Sequence, residues 1–240
     1  LMIDYKEILQ PDTIGLKEGE NNIEACPGFS YEDSIKWIYQ QPTVYSNLAK
    51  TLVQEFPDAK NVLELGCGPG CLSYYIRHYG GKETVTLDIN KDAPQQSAFL
   101  DSNHFLCYTD KPYQIQDNND NNVKFDLIIS YEHFEHIPPK NLKIFFDNIK
   151  EHCHKNTIIN ATASKAETSG VKILDNNQDI SNVSLNGFAS HQSIFSKNQW
   201  GELLIRYGFK LLERKNLINP SNKPPNFELD RTIELTFKLK

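Results

Sequence analysis

Hydrophobic positions in this chain recur with two different periods, and the switches between them divide it into elements. From Tyr31 to Phe56 the spacing is helical. Ile35 and Ile38 share one face, Leu48, Leu52 and Phe56 share another, and Pro42 separates the two segments. A short apolar run at Val62, Leu63 and Leu65 reads as a buried strand. It stops at Gly66, Gly68 and Gly70, and helical spacing resumes at once with Leu72, Tyr75, Ile76 and Tyr79. Strands are expected over 84–89, 104–108, 124–130 and 156–161, with a helix near 91–100. A further helix, entered through Pro138 and Pro139, carries the stripe Leu142, Phe145, Phe146, Ile149. Trp200, Leu203, Leu204 and Tyr207 repeat that stripe in the last helix. Residues 209–218 and 228–239 close the chain as two strands. The second alternates (Ile233, Leu235, Phe237, Leu239) as a half-covered sheet edge does.

Strands alternating with helices make this an α/β chain. Residues 1–56 read as an N-terminal arm and helical cap, and 57–240 as the core. The first thirty positions hold Pro11, Gly15, Gly19, Pro27 and Gly28 and no sustained period, so a loosely structured arm is expected. Residues 162–196 also lack a period. A stretch of that length inside a compact domain is a lid, a binding loop or a small subdomain. The Asn/Asp-rich residues 117–122 read as a polar loop and the most mobile part of the core.

Composition narrows the partners more than the fold. A length of 240 residues with 39% hydrophobic and 23% charged content suits one globular domain. The net charge of −6, without a Lys/Arg-rich block, argues against nucleic acid and for a small-molecule partner. No run reaches the length of a membrane span, and the first residues lack the charged-then-apolar order of a secretory signal. Five cysteines without framework spacing imply a reducing compartment, so the cytoplasm is the expected location.

The chemistry concentrates at residues 61–70, Asn-Val-Leu-Glu-Leu-Gly-Cys-Gly-Pro-Gly. Strand, glycine turn and helix form the nucleotide-binding opening of an α/β sheet, and Asp88 ends the next strand about where a carboxylate reaches a ribose hydroxyl. An adenosine-type cofactor is therefore expected. A dinucleotide fingerprint needs Gly or Ala where this chain has Cys71, and Glu64 would repel a pyrophosphate. That disfavours an NAD(P)-binding oxidoreductase. Glu64-x-Gly66-x-Gly68-x-Gly70 with Asp88 resembles motif I and its partner in class I S-adenosylmethionine-dependent methyltransferases. Phe125–Ser130 resembles that family's fourth strand, Glu135-His136-Ile137 the step after it, and Tyr207-Gly208-Phe209 the close of its late helix. The resemblance spans about residues 45–240.

The resemblance implies a Rossmann-like, doubly wound, seven-stranded sheet with helices on both faces, mostly parallel with an antiparallel last strand. The N-terminal cap and the insertion 162–196 would then cover the acceptor. S-adenosylmethionine is the implied cofactor. Gly66, Cys67, Gly68 and Gly70 would pass beneath its methionine part, Glu64 would hold its amino end, and Asp88 and Ile89 would meet the ribose. Asp110 follows the third strand, where the family places an adenine acceptor, although an ordinary loop Asp reads almost as well. Ser130 and Tyr131 would lie close to the sulfonium and the acceptor. A hydroxyl acceptor needs a group to take its proton, which makes His133, His136 and His191 the catalytic candidates, with a carboxylate or Tyr131 as substitutes. Glu132, His133, Glu135 and His136 also have the three-residue spacing of metal ligands, but Pro138 cuts the segment short and no metal is expected. The implied reaction is methyl transfer to an oxygen, or alternatively a nitrogen, of a small molecule such as a sugar or nucleotide-linked sugar. The rival from another class is a non-catalytic cofactor-binding partner subunit. Acceptor identity and oligomeric state are beyond the sequence.

Overall fold

The computed structural model describes residues 5–9 (backbone), 42–89, 99, 101, 103–164, 193–220, 222–223 and 232–240. Ile35, Ile38, the helix expected near 91–100, most of the insertion 162–196 and His191 lie outside the described residues. The strands are β1 (Tyr5–Leu9), β2 (Asn61–Leu65), β3 (Glu83–Asp88), β4 (His104–Leu106), β5 (Gln114–Asp117), β6 (Phe125–Ser130), β7 (Cys153–Ser164), β8 (Phe209–Leu211) and β9 (Thr232–Leu239). The α-helices are α1 (Pro42–Glu55), α2 (Cys71–Gly80), α3 (Leu142–Glu151) and α4 (Lys197–Arg206). Pro42 opens α1, where its missing N–H costs nothing. Ser196 caps α4 in a reciprocal pair with Gln199.

Seven strands form one sheet in the order β4-β3-β2-β6-β7-β9-β8. The first five are parallel to their neighbours, while β9 runs antiparallel to both β7 and β8. This is the expected Rossmann-like sheet. Period-two alternation sends side chains to two cores. Leu63 and Leu65 of β2 join Phe134, Phe145, Phe146, Trp200 and Phe237 on the face covered by α3 and α4. Val62 joins Leu48, Leu52, Leu72 and Ile76 on the face covered by α1 and α2. Each fully buried Phe or Leu contributes about 1.5–3 kcal/mol, so both helix layers are firmly held.

Two local expectations, the loose arm and the edge strand, need correction. Part of the supposedly loose arm is β1, which pairs antiparallel with β5 as a small second sheet. Five residues are too few to show a period, and the pairing is set by a distant partner. Residues 117–122 are a polar loop as expected, drawn into a turn because Asp117 Oδ1 accepts from the backbone of Asn119 at 2.8 Å and of Asn121 at 3.0 Å. The last strand is interior, not an edge. Thr232, Glu234 and Thr236, on the face opposite Ile233, Leu235 and Phe237, are buried as well. Their burial is satisfied by hydrogen bonds, which a hydropathy pattern does not register. His152, which follows α3, is fully buried, and its Nδ1 lies 2.9 Å from the Val123 carbonyl.

Candidate functional site

The sheet register brings the carboxyl ends of β2, β3 and β6 to one edge, with Glu64 opposite Thr86 on one side and Ile129 on the other. β2 sits where the strand order reverses, which is where open α/β sheets bind ligands. The turn after β2 has positive φ at Gly66 (67°), Gly68 (51°) and Gly70 (75°). A side chain at Gly66 would strike the His133 ring at 2.5 Å, whereas one at Gly68 would meet nothing within 4 Å. Gly66 is therefore required by packing, and Gly68 by backbone conformation beside open space. The Gly66 and Cys67 amides both donate to the Leu87 carbonyl (2.8 and 3.1 Å), tying the turn to β3. Asp88 Oδ2 accepts from the Gly68 amide at 2.8 Å, so the carboxylate expected at the ribose also fixes the middle of the turn. Ile89, beside it, is exposed.

Glu64 is buried and turned toward the start of α2, where its Oε2 accepts from Ser73 N (3.2 Å) and Ser73 Oγ (2.5 Å). Burial lifts its carboxyl to about 7, against the bonds from Ser73 and the field of Arg77, both of which pull it down. Cys67 is buried, with Sγ 3.6 Å from His104 Nδ1, and burial pushes its thiol well up. Asp110 Oδ2 accepts from Asn141 Nδ2 at 2.8 Å. Ser130 is fully buried and donates to the Leu65 carbonyl at 3.1 Å, so it joins β6 to β2 rather than presenting a free hydroxyl. The Tyr131 hydroxyl bonds Asn160, which donates onward to Glu234 and Thr236, each at 2.9 Å.

The histidines separate into different roles. His133 packs under Gly66, its Nε2 lies 2.8 Å from Thr109 Oγ1, and its ring meets Phe145 edge to face. Loss of solvent around the ring, with the neighbouring His136 adding to it, pulls its imidazole down to about 3. Engaged on three sides, the ring packs against the turn. His136 ends the 3-10 turn Phe134–His136, half-buried.

From the sequence, Glu135 belongs to the Glu-His step of the resemblance, and Glu132 is one carboxylate that could substitute for a histidine base. Glu132 has φ 54°, rare for a residue with a side chain. Its amide donates to Thr162 Oγ1 (2.8 Å), and that hydroxyl donates back to Glu132 Oε1 (3.1 Å). Glu135 is completely buried. Among the described residues no group of three or more His, Cys, Asp or Glu is arranged to hold a metal. No helix among them is long and apolar enough to cross a membrane.

Comparison with known proteins fits this geometry. A family described as a methyltransferase domain matches residues 37–214. No curated protein matches by sequence. Among solved structures, an S-adenosylmethionine-dependent methyltransferase from Clostridium acetobutylicum ATCC 824 superposes with a TM-score of 0.61 at 13% identity, covering 88% of this chain and 99% of that one. The 1,6-didemethyltoxoflavin-N1-methyltransferase of Burkholderia thailandensis, solved with its substrate and S-adenosylhomocysteine, gives 0.57 at 13% identity, covering 88% and 84%. A glycopeptide N-methyltransferase complexed with S-adenosylmethionine gives 0.55 at 11%, covering 82% and 94%.

Proposed function

The chain belongs to the methyltransferase-domain family, with S-adenosylmethionine as cofactor, and from that premise we propose that its acceptor is a small molecule methylated on oxygen, with nitrogen as the alternative atom. A sugar or nucleotide-linked sugar is the acceptor class to try first. The observation that carries this reading is the Asp88 carboxylate at the end of β3, bonded to the Gly68 amide where the turn borders open space. A carboxylate there suits a cationic, hydroxyl-bearing cofactor, and the net charge of −6 speaks against a phosphate backbone as acceptor. When bound, the cofactor supplies a methyl group on a sulfonium that leaves as a neutral thioether.

The residues fit that cofactor. The room beside Gly68 and the acidic surroundings suit a cationic ligand laid along the turn. Glu64 would hold its amino end, Asp88 the ribose hydroxyls, Ile89 the ribose edge and Asp110 the adenine amino group. The backbone of Gly66, Cys67, Gly68 and Gly70 would run beneath the methionine part, with Ser130 and Tyr131 as the wall toward the acceptor. Alignment of acceptor and methyl is the main demand on the protein, and rigid strand ends supply it.

The nitrogen alternative rests on the N-methylating enzymes among the structural neighbours. The test has two stages. Calorimetry should show binding of S-adenosylhomocysteine and none of NAD. Incubation with methyl-labelled S-adenosylmethionine and a panel of hydroxylated, aminated and nucleic-acid acceptors should then label a hydroxylated small molecule. Labelling confined to amines would move the proposal to nitrogen, and labelling of nucleic acid would overturn it.

A further inference from the structure

One buried oxygen at the strand ends has no partner. Glu135 Oε1 accepts from Ser164 Oγ at 3.3 Å, while Oε2, fully buried, has no donor among the described residues. Thr162 and Ser164, alternate residues on one face of β7, donate to Glu132 Oε1 and Glu135 Oε1, which sets the two carboxyls side by side. Two ionised carboxylates have no hydrogen to share and repel each other. One proton between them turns the repulsion into a bond and satisfies the orphaned oxygen. Burial, then the field of Glu132, holds the Glu135 proton on to well above the usual carboxylate range, and burial lifts Glu132 to about 7. Near neutral pH the pair thus shares a proton, and the half-buried Glu132 is the member placed to exchange a second.

The pair lies just past the carboxyl end of β6, on the sheet edge that carries the glycine turn. Glu132 is half-buried and lies two residues past the end of β6, while Glu135 is enclosed. Glu64 and Glu132 lie at the ends of the adjacent strands β2 and β6, and both add to the field at Tyr45 on α1. Asp88 lies on the opposite flank of the glycine turn, beyond β3. Facing the pair from β7 are the hydroxyls of Thr162 and Ser164, which carry no charge.

Resting on the methyl-transfer reading above, we propose that Glu132 is the catalytic residue that accepts the acceptor's proton, with Glu135 as the positioning residue that holds it through their shared proton. As the acceptor oxygen gains the methyl group, its O–H bond breaks and the proton passes to a Glu132 carboxylate oxygen. The electron pair of the broken methyl–sulfur bond stays on sulfur. The pair is then neutral, a favourable state for a buried site, and Glu132 later returns its proton to water.

Infrared spectroscopy of the full chain tests the pair without any acceptor. At pH 7 the wild type should show a protonated-carboxyl C=O band that Glu135→Gln removes, and a second band that titrates near pH 7 and is absent from Glu132→Gln. Absence of any protonated-carboxyl band at pH 7, or a stoichiometric divalent metal in its place, overturns the proposal. With an acceptor from the labelling panel, Glu132→Gln should lower the single-turnover rate about a hundredfold while S-adenosylhomocysteine affinity stays within about threefold, and Glu132→Asp should restore part of the rate. Retention of the wild-type rate by Glu132→Gln, with His136→Ala or His191→Ala inactive instead, sinks the assignment even if the shared proton is seen. Failure of every acceptor in the panel would count against the methyl-transfer reading alone, because the infrared result does not depend on it.

Discussion

Gly66 and His133 fit together as surface and support: a Cβ on Gly66 would lie 2.5 Å from both Cγ and Nδ1 of the imidazole. The first residue of the cofactor turn rests directly on a side chain from the segment after β6, with Thr109 and Phe145 holding the ring in place. Gly66→Ala should therefore be costly twice. The positive φ of 67° strains any side chain by about 1 kcal/mol, and the overlap with the ring adds roughly 1–3 kcal/mol. His133→Ala alone should weaken S-adenosylhomocysteine binding by loosening the turn. Combined with Gly66→Ala it should recover the overlap with the ring, though not the 2.9 Å approach to the Cβ at 133 or the φ strain. Calorimetry and melting curves on the two single variants and the double variant measure this coupling. Strict additivity would show that the contact carries no energy.

Asp88 offers a second handle on the turn. Its bond to the Gly68 amide orients the loop even before any ribose arrives. Asp88→Ala should lower S-adenosylhomocysteine affinity by about 1.5–3 kcal/mol, the range for hydrogen bonds to a charged group. Asp88→Asn keeps an acceptor for the amide, so it should lose less. Equal affinity for wild type and Asp88→Ala in calorimetry would remove Asp88 from the cofactor site.

These two relationships were not equally legible in the chain. The glycine spacing and the strand-end Asp88 are local signals, since a turn at positive φ demands its residue types in order. The stripes Leu142–Ile149 and Trp200–Leu204 were readable for the same reason, and their residues are buried as the 3.6 period requires. What could not be read depends on distant partners. Nothing near His133 announces Gly66, and nothing near Tyr5–Leu9 announces β5. The interior position of β9 was hidden because Asn160, Glu234 and Thr236 satisfy one another inside the sheet, so polar residues stand where a pattern reader looks for solvent. Ser130 and Tyr131 read as site walls, yet their hydroxyls bond Leu65 and Asn160, a use that only the packed sheet reveals.

Metal removal separates two uses of the segment Glu132–His136. With Glu135 and His136 explained as a family step, and Glu132 and Glu135 as a proton-sharing pair, prolonged EDTA treatment should leave activity unchanged. The purified protein should then carry no stoichiometric zinc. Elemental analysis finding about one zinc per chain would make these side chains ligands instead.

The dependence of stability on pH follows from groups shifted in opposite senses. Desolvation pulls His133 down to about 3 and His152 to about 4, so between those values and the ordinary histidine range near 6.5 the unfolded chain binds more protons than the fold. Their contribution is present above about 6.5 and is lost as pH falls through the folded values. Burial instead raises Glu64 and Glu132 to about 7, so between about 4.5 and 7 the fold binds the extra protons. Their contribution is full below about 4.5 and is lost as pH rises through 7. The two trends oppose each other between about 4.5 and 6.5. Glu135, whose burial keeps its proton on well above the usual carboxylate range, extends that loss to higher pH. The melting temperature should therefore climb steeply up to about pH 4.5, change little to about 6.5, and decline above it. Glu64→Gln keeps an acceptor for Ser73 without the charge, so it should flatten the upper decline and leave the acid limb unchanged. Melting curves taken from pH 3 to 9 check this. An upper limb as steep in Glu64→Gln as in the wild type would show that Glu64 ionises in the fold as readily as in the unfolded chain, and its burial beside Ser73 would not control the alkaline loss.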